Sequence, residues 1–372
     1  MIRPGVRSFS AQWPDWLTSK SGQADILISS SNDINFNLSI EEYLFENLEI
    51  KNPLLFLYQN DKTIIIGKHQ NPWKECHVQR LEDDGVTLAR RKSGGGCVYQ
   101  DLGNSVFSFM NPIHDFSKQD YKTLNNEVLI SSLKSFNVDA EASGRNDLVL
   151  SSCKRKISGS AYKLKLGKKD GTGRRSLHHG TMLLNVDLQA LQKYLNPNKK
   201  KLESKGVDSV VSRVANLQEL CPSINHGSFC DSLEHQFRQK WAGYEFNRVV
   251  LDPTKLEQIP TLQQIYQGYS EWSWRFGETP EFTNSVEHKF SWALVEVQFE
   301  VKKGVIVSGR VFTDCLNPYF VDTLNQCLEQ GKYTYDEAGI QRWCRDTLEL
   351  MGAEADGAVR DEMVPELSGW LC

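Results

Sequence analysis

Residues 90–104 read RRKSGGGCVYQDLGN and place three consecutive glycines after two arginines, a lysine and a serine. Each glycine inside an ordered element costs about 0.5–1 kcal/mol relative to alanine. A run of three therefore indicates a main chain that bends sharply or lies directly against a ligand. Arg90 and Arg91 supply planar donors suited to phosphate or carboxylate, so the expected ligand is an anion. The alternative is a glycine-rich hairpin with solvated arginines.

The segments that flank the glycines predict strands. VTLAR (86–90) precedes the run and VFSFM (106–110) follows it, so the glycines connect strand to strand. In a P-loop or a dinucleotide-binding fold a helix follows the glycines, and neither the G-x-G-x-x-G nor the G-x-x-x-x-G-K-[ST] pattern occurs. We expect the main-chain N–H groups of residues 94–96 to approach the anion, with Tyr99 stacking or hydrogen-bonding nearby.

Hydrophobic periodicity along the rest of the large domain predicts a mixture of helices and strands. LLFLY (54–58) and TIIIG (63–67) are separated by QNDK and predict a hairpin. The segment 163–176, rich in glycine, lysine and arginine, predicts a mobile basic loop. Helices are expected at 35–50, 75–84, 120–136, 187–196, 213–220 and 228–241, and further strands at 147–150, 156–162 and 181–186.

A smaller α+β domain is predicted after the segment EWSWRFGETPEF (271–282). FSWALVEVQFEV (290–301) alternates apolar and polar residues and pairs with 302–314 as a hairpin, and helices follow near 319–330 and 336–351. Strands and helices do not alternate regularly, which argues against a doubly wound parallel sheet. The predicted division is 1–24 outside the domains, 25–278 as the large domain and 282–372 as the small one.

Composition narrows the function classes. The chain of 372 residues carries a net charge of -4 with a pI near 6.1, which argues against a general nucleic-acid binder. It contains no apolar run approaching the roughly 18 residues that a membrane span requires. Nine cysteines without a C-x-x-C pair fit neither a disulfide framework nor a structural zinc site, and they indicate reduced thiols.

The N-terminal residues suggest a cellular location. The stretch MIRPGVRSFSAQWP carries Arg3, Arg7 and two serines but no acidic residue. That composition is typical of a mitochondrial transit peptide, which predicts a mitochondrial protein. A short disordered tail on a cytoplasmic protein is the alternative.

The segment GRNDLVLSSCKRKISGSAYK (144–163) offers a second candidate for charge recognition. Arg145 and Asp147 lie two residues apart, and on a strand they would face the same side. Lys156 begins a predicted strand with two serines on its face, where it would be a compact positive charge between two anions. The alternative is that the run KRK, to which Lys156 belongs, is a solvated face.

The segment SLHHGTMLLNVD (176–187) places two histidines before a predicted strand. Adjacent histidines on a strand point to opposite faces, so His178 and His179 cannot readily share a metal ion. One is expected to hydrogen-bond in a site and the other to be structural. Cys97 would be a nucleophile only with a lowered pKa and a base partner, and the sequence names no such partner.

Together and in this order, ARRKSGGGCVYQDLGN, GRNDL, RKISGSAYK and HHGTMLLNVDL resemble the lipoate–protein ligase and lipoyltransferase family. NPWKEC (71–76), LNPNKKKLESKGVDSVVSRVANL (195–217) and EWSWRFGETPEF (271–282) extend the resemblance, which covers most of the chain. The family implies a large α/β domain like the catalytic domains of biotin–protein ligases and class II aminoacyl-tRNA synthetases, followed by a small C-terminal domain. A biotin ligase itself is disfavoured, because the GRGRxGRxW-type motif is absent.

The resemblance implies a reaction in two steps. Lipoate and ATP give lipoyl-AMP and pyrophosphate, with Mg²⁺ shielding the phosphates, and the lipoyl group then passes to a lysine of a partner. The implied partners are apo lipoyl domains of 2-oxoacid dehydrogenase E2 subunits and the glycine cleavage H-protein, and the enzyme is expected to be a monomer. The alternatives are a lipoyltransferase that uses pre-formed lipoyl-AMP or transfers between proteins, and a non-catalytic binder of lipoyl domains.

The resemblance also implies roles for individual residues. Lys156 would contact both the lipoyl carbonyl and the adenylate phosphate, and Asp147 is a candidate Mg²⁺ ligand. The lipoyl chain is expected in an apolar tunnel, with 163–176 as a lid over the adenylate. Position 97 departs from the family, where alanine or threonine is usual, so Cys97 is expected to act through its main chain. The residues implied in binding nucleotide and lipoyl-AMP are Arg91, Ser93, Gly94, Gly95, Gly96, Cys97, Val98, Tyr99, Arg145, Asp147, Lys156, His179, Gly180 and Thr181.

Overall fold

The computed structural model describes Leu17 and residues 22–70, 72–114, 120–167, 173–195, 214–276, 284–302, 305–334 and 337–371. The strands are β1 (Gln23–Ser29), β2 (Leu54–Tyr58), β3 (Thr63–Ile66), β4 (Thr87–Arg90), β5 (Val98–Gln100), β6 (Asn104–Pro112), β7 (Ala140–Ser143), β8 (Asp147–Leu150), β9 (Lys156–Lys165), β10 (Arg175–Leu183), β11 (Glu245–Leu251), β12 (Asn284–Lys289), β13 (Leu294–Lys302), β14 (Val305–Thr313) and β15 (Tyr333–Thr334). The α-helices are α1 (Ile34–Glu42), α2 (Pro72–Glu75), α3 (Val78–Asp83), α4 (Tyr121–Lys134), α5 (Leu188–Tyr194), α6 (His226–Lys240), α7 (Thr254–Gln258), α8 (Pro260–Ser270), α9 (Trp272–Arg275), α10 (Pro318–Gln330), α11 (Glu337–Met351) and α12 (Val364–Leu371).

Eight strands form one mixed sheet in the order β11-β1-β2-β6-β10-β9-β8-β7. Only the β1 pairings, with β2 and β11, are parallel among these described neighbours. Side chains alternate between the two faces of the sheet. Leu55 and Leu57 share a core with α4 and α6, whereas Phe56 shares a core with α1. Helices therefore cover both faces, and the predicted α/β class of the large domain is confirmed.

A second sheet of three strands, in the order β4-β3-β5, carries the glycine run. The run lies between β4 and β5, so the predicted strand-to-strand connection is confirmed. The predicted hairpin of 54–58 with 63–67 is wrong, because β2 and β3 belong to different sheets. Where the chain passes between the sheets, the buried Asn60 amide donates to Gln100 Oε1 at 2.6 Å and its carbonyl oxygen accepts from Asn37 at 2.9 Å. These bonds anchor the crossing.

The small domain is a four-stranded antiparallel sheet, β12-β13-β14-β15, with α10, α11 and α12 packed on it. Its core contains the buried rings of Phe299, Phe320 and Trp343. The predicted hairpin of alternating strands is confirmed as β13 and β14, and both predicted helices are present. The sequence prediction missed β12 and α12.

The small domain contacts the large one beside the glycine run. The Thr313 N–H donates to the His69 carbonyl at 3.0 Å, and the Gly95 N–H donates to the Cys315 carbonyl at 3.3 Å. The Asp322 carboxylate lies 3.1 Å from His69 Nε2 and also forms an ion pair with Lys68. The glycine run is thus held between two domains.

Two other predicted segments differ from the structure. The predicted basic loop at 163–176 is shorter, because β9 continues to Lys165 and β10 begins at its partner Arg175. Residues 168–172 of that segment lie outside the described residues, as do 1–16 of the predicted transit segment. The predicted helix at 213–220 is only a 3-10 turn, Leu217–Glu219, within the part described.

Two negative expectations concern thiols and membranes. Among the cysteines in the described part of the chain, no two form a disulfide. Within the same residues, no helix combines the length and the apolar character needed to cross a bilayer.

Glu46 joins the segment after α1 to the two strands that carry the candidate site. Its carboxylate accepts from Lys163 at 2.6 Å and from Lys165 at 2.7 Å, and Arg175 donates to its main-chain carbonyl at 3.2 Å. Burial alone would raise the pKa of Glu46, but the two ammonium groups outweigh it and lower the pKa to about 2. The ionised carboxylate is therefore favoured in the folded state.

We expect Glu46→Gln to lower the free energy of unfolding by about 1 kcal/mol at pH 7, a value reduced for screening because a third of the side chain meets solvent. Because the pKa of Glu46 is lower in the folded state, its ionised carboxylate stabilises the fold fully above the unfolded pKa of 4.5. This stabilisation is lost as the pH falls through the folded pKa of about 2. Urea unfolding from pH 7 downward should show the difference from wild type closing below about pH 4.5. The exposed Glu49→Gln should match wild type throughout, and a pH-independent difference for Glu46→Gln contradicts the prediction.

Candidate active site

A cleft of about 640 Å³ opens where β9 and β10 of the large sheet face β5 and the end of the glycine run. Its lining is mixed, with apolar side chains along the walls and polar groups at both ends. The described residues that line it are Leu38, Tyr58, Ile65, Arg91, Gly96, Cys97, Val98, Gln100, Val106, Asn146, Lys156, Gly159, Ser160, Ala161, His179, Gly180 and Thr181. The cleft therefore brings together residues from all four motifs that carry the family resemblance.

Lys156 stands at the exposed end of the cleft. Its side chain is about a third exposed, and its Nζ lies 2.7 Å from Asp147 Oδ1. The β8–β9 pairing shifts register here, with Leu148 opposite Ser158 but Val149 opposite Lys156. The extra residue of this bulge breaks the alternation of β9 and aims the lysine into the cleft. A β-bulge beside a cleft commonly redirects one functional side chain.

Asp147 is held as the partner of Lys156. Among the described residues, no group of three His, Cys, Asp or Glu side chains could hold a metal ion. The carboxylate of Asp147 is paired with the Lys156 ammonium and so orients it as a counter-ion. The structure therefore does not provide a protein cage for Mg²⁺ in the part described.

Arg91 shapes the glycine run from behind. Its guanidinium is buried and donates to the carbonyls of Gly94 at 2.6 Å, Gly96 at 2.9 Å and Ile65 at 3.2 Å. Burial lowers the pKa of Arg91 to about 10, so the group stays charged at neutral pH. The expectation that its donors hold a phosphate directly does not match this geometry, because they already bind main-chain carbonyls.

Arg90 is likewise structural. It donates to the carbonyls of Gln70 at 2.7 Å, Trp274 at 2.9 Å and Arg275 at 3.0 Å, and Trp274 Nε1 donates back to the Arg90 carbonyl at 2.9 Å. The segment around Trp274 is thereby tied to β4. Both arginines of the opening motif stabilise the main chain and are buried, contrary to the solvated alternative.

Each glycine of the run has its own geometry. Gly94 lies against the small domain, where a Cβ would stand 2.1 Å from the Cys315 carbonyl oxygen. Gly95 has a φ of +91°, a conformation that L side chains rarely adopt. Gly96 faces the cleft, and a Cβ there would meet no atom within 4 Å. The three glycines thus serve close approach, a turn and an open cleft wall, in that order.

Strand parity separates the residues after the glycines. Val98 and Gln100, two residues apart on β5, line the cleft, and Cys97, which precedes the strand, also borders it. Tyr99 points the other way, where its ring packs 5.8 Å from Tyr194 in a buried cluster. The Tyr99 side chain therefore does not line the described cleft, since successive residues of a strand face opposite sides.

The adjacent histidines also face opposite sides of β10. His178 is buried in the sheet core and stacks on Tyr162 with a centroid distance of 4.3 Å. Burial lowers the pKa of His178 well below its usual value, so it is a neutral core residue. His179 lines the cleft, and its Nε2 lies 2.6 Å from Ser93 Oγ. Gly180 and Thr181 continue the same wall.

Arg145 lies outside the cleft wall. It is exposed in the turn between β7 and β8, not on a strand, so the expected shared face with Asp147 is absent. Its side chain borders a neighbouring groove with Tyr162 and Leu316, and its carbonyl accepts from Lys122. Arg145 is therefore placed beside the candidate site instead of in it.

Several cleft residues carry no local sequence signal. Asn146 donates to the Ser160 carbonyl at 2.6 Å and so closes the turn beside Lys156. Leu38, Tyr58, Ile65 and Val106 supply apolar wall. Each occurs in an ordinary apolar helix or strand pattern, so only the tertiary arrangement identifies it.

The geometry defines what the cleft can bind. Apolar walls run from the buried end at His179, which is 6% exposed, to the exposed end at Lys156. Such a cleft fits an acyl chain whose carboxyl group meets the ammonium, with the glycine run beside it for a second anionic group.

Two family descriptions match the sequence. The lipoyl protein ligase A/B catalytic domain matches residues 33–238, and the bacterial lipoate protein ligase C-terminus matches residues 279–348. The fold and the cleft thus define a lipoyl-ligase type of catalytic domain followed by the small domain that accompanies it. The chain belongs to the lipoate–protein ligase family.

Solved structures agree with this assignment. LipL1 of P. falciparum, solved in complex with lipoate, is 30% identical with a TM-score of 0.77, over 94% of this chain and 99% of that one. Two further structures share the fold. A lipoate-protein ligase A bound with ATP is 23% identical, covers 69% of this chain and 99% of that one, and gives a TM-score of 0.56. The bi-partite lipoate protein ligase of Thermoplasma acidophilum, described with its E2 lipoyl domain, is 24% identical, with 70% and 99% coverage and a TM-score of 0.58.

Proposed function

We propose that this protein is an ATP-dependent lipoate–protein ligase that forms lipoyl-AMP and transfers the lipoyl group to a lysine of an apo lipoyl domain. The observation that carries the proposal is the position of Lys156 Nζ, 2.7 Å from Asp147, at a partly exposed site on a cleft of mixed lining beside the glycine run. Binding of lipoate by LipL1 and of ATP by ligase A supports the two substrates.

The first step joins two anions. A carboxylate oxygen of lipoate attacks the α-phosphorus of ATP. The bond between that phosphorus and the oxygen that bridges to the β-phosphate breaks, and pyrophosphate leaves. Lys156 stabilises the approach as a fixed ammonium between carboxylate and phosphate, and Asp147 keeps that ammonium oriented until the substrates arrive. Mg²⁺ would enter with ATP as part of the substrate. Magnesium in nucleotide sites is held mainly by phosphate oxygens and water, with only one or two protein carboxylates.

The glycine run acts through its main chain. Arg91 holds the carbonyls of Gly94 and Gly96, and the Gly95 N–H donates to Cys315 of the small domain. The proposed main-chain contact for the adenylate phosphate is therefore at Gly96, which lines the cleft. Cys97 contributes wall and main chain only. This assignment replaces a direct arginine–phosphate contact with a main-chain cradle that the arginine supports.

The second step needs alignment more than activation. The neutral amine of the acceptor lysine attacks the carbonyl carbon of lipoyl-AMP, the bond from that carbon to the phosphate oxygen breaks, and AMP leaves while the amine loses its proton. The mixed anhydride is already reactive, so holding amine and carbonyl together supplies most of the acceleration. No covalent link to the enzyme is required.

The proposal extends to partners and location. Acceptors would be lipoyl domains of 2-oxoacid dehydrogenase E2 subunits and the glycine cleavage H-protein, and the T. acidophilum ligase described with its E2 lipoyl domain supports the first. We propose that the protein acts in mitochondria, on the basis of its Arg- and Ser-bearing N-terminal residues. We also propose that it is a monomer, as the family resemblance implies.

The deciding experiment supplies lipoate, Mg-ATP and an apo lipoyl domain to the purified chain. We expect AMP release and a mass increase of the acceptor that corresponds to one lipoyl group. If the acceptor is modified only when lipoyl-AMP is supplied, the chain is a lipoyltransferase. If it binds the acceptor but modifies it in neither case, the non-catalytic interpretation holds.

A further inference from the structure

Behind the cleft wall, four buried side chains form one hydrogen-bonded chain from α1 to the glycine run. They are Glu41, His179, Ser93 and Arg91, with exposures of 5%, 6%, 1% and 7%. Glu41 was not singled out from sequence, and Ser93 does not reach the cleft surface among the described lining residues. The chemistry proposed above uses Arg91 but gives Glu41, His179 and Ser93 no role.

The distances are short at every link. His179 Nδ1 lies 2.8 Å and 2.9 Å from the two carboxylate oxygens of Glu41, and His179 Nε2 lies 2.6 Å from Ser93 Oγ. Arg91 Nε donates to Ser93 Oγ at 3.1 Å. The same guanidinium then holds the carbonyls of Gly94 and Gly96.

The end groups fix the directions of the outer hydrogen bonds, and the distances favour one direction for the bond between Ser93 and His179. An ionised carboxylate only accepts and a guanidinium only donates. Ser93 Oγ accepts from Arg91, and its own proton points to the nearer acceptor, His179 Nε2 at 2.6 Å, instead of the Gly94 carbonyl at 3.5 Å. His179 must then carry its proton on Nδ1 and donate it to Glu41.

Other groups around Glu41 favour its ionised form. Burial alone would raise the pKa of Glu41, but His179, the Ser108 hydroxyl and the Lys163 ammonium outweigh it, and the pKa is lowered. Tyr58 also places its hydroxyl 3.4 Å from the carboxylate. A buried anion and the buried Arg91 cation are thus joined through His179 and Ser93.

We propose that Glu41 is a positioning residue: it holds His179 as the Nδ1–H tautomer and, through Ser93 and Arg91, fixes the carbonyls of the glycine run so that Gly96 is held in place on the cleft wall. The catalytic consequence rests on the proposed function. The tautomer and the hydrogen-bond chain do not, because they follow from the geometry of the protein alone.

The first test determines the tautomer of His179 by ¹⁵N NMR of the full chain labelled with ¹⁵N-histidine. The His179 signals are assigned by their absence in His179→Gln. We expect a protonated Nδ1 and an unprotonated Nε2 at neutral pH in the wild type, and loss of that pattern in Glu41→Gln. A wild-type His179 protonated on Nε2 overturns the proposal.

The second test separates kcat from KM for adenylate formation. Glu41→Gln and Ser93→Ala break the same chain at different links, so both should lower kcat about tenfold or more while KM for ATP changes less than threefold. Ser93→Ala should keep the Nδ1–H tautomer. The exposed Glu49→Gln is the matched control, and wild-type kcat in Ser93→Ala contradicts the proposal even if Glu41→Gln fails to fold.

The two tests distinguish this inference from the proposed function. A wild-type chain that shows the Nδ1–H tautomer but forms no adenylate defeats the proposed function and leaves the chain of hydrogen bonds intact. A wild-type chain that forms adenylate but shows the Nε2–H tautomer defeats the positioning role of Glu41 alone.

Discussion

Replacing Lys156 by alanine should lower the rate of lipoyl-AMP formation by about 10³-fold or more, equivalent to about 4 kcal/mol of transition-state stabilisation. The ammonium is the charge that the cleft places beside both the carboxylate and the phosphate of the proposed reaction. Its removal also leaves Asp147 without the partner 2.7 Å away, which adds repulsion toward incoming anions. Pyrophosphate release from lipoate and Mg-ATP measures the effect.

Lys154 provides the matched control for this experiment. It belongs to the same basic run, but its side chain is 63% exposed and pairs with Glu141 at 2.7 Å on the surface. Lys154→Gln should therefore retain near wild-type adenylate formation. If Lys156→Ala folds normally and forms adenylate at the wild-type rate, Lys156 has no part in the chemistry.

Replacing Gly94 by alanine should disturb the contact between the two domains. The new Cβ would stand 2.1 Å from the Cys315 carbonyl oxygen, where the obstacle is main chain and cannot rotate away. The glycine run or the small domain must move, and overpacking of this kind costs about 1–3 kcal/mol. We expect a lower thermal unfolding midpoint, a larger radius of gyration by X-ray scattering if the domains part, and impaired adenylate formation.

Gly96→Ala is the stability control, because a Cβ at Gly96 meets no atom within 4 Å. Its unfolding midpoint should stay close to that of wild type. If Gly94→Ala unfolds at the same temperature as Gly96→Ala, with an unchanged scattering profile, the glycine run does not depend on close contact with Cys315.

The sequence predicted strands and their connections well where hydrophobic periodicity or turn residues alone decide them. The strand–glycine–strand order around residues 94–96 and the alternating hairpin of the small domain both follow from periodicity and turn residues. It failed for residues 54–67, because two fully buried strands joined by four residues satisfy the hairpin pattern equally well in separate sheets. The side-chain hydrogen bonds of Asn60 hold the chain where it crosses between the sheets, and a local pattern does not show them.

The candidate site shows the same division. Lys156, Gly96 and His179 stand out locally and do line the cleft. The Tyr99 ring packs away from the cleft, and the guanidinium of Arg91, although it lines the cleft, binds main-chain carbonyls. Strand parity and burial decide these contacts, and neither is visible in composition. Glu41 lies in the polar pattern of a predicted helix, and its partner His179 is 138 residues further along the chain. Pairings over such distances have no local signal.

The central claim is that Lys156 and the glycine run together hold an acyl-adenylate. A crystal structure with a non-hydrolysable lipoyl-AMP analogue, in which a sulfamate replaces the phosphate, tests it most directly. The account predicts the sulfamate within hydrogen-bonding distance of Lys156 Nζ and of main-chain N–H groups of the glycine run, with the lipoyl chain directed toward His179. An analogue bound with its sulfamate remote from both Lys156 and residues 94–98 contradicts it.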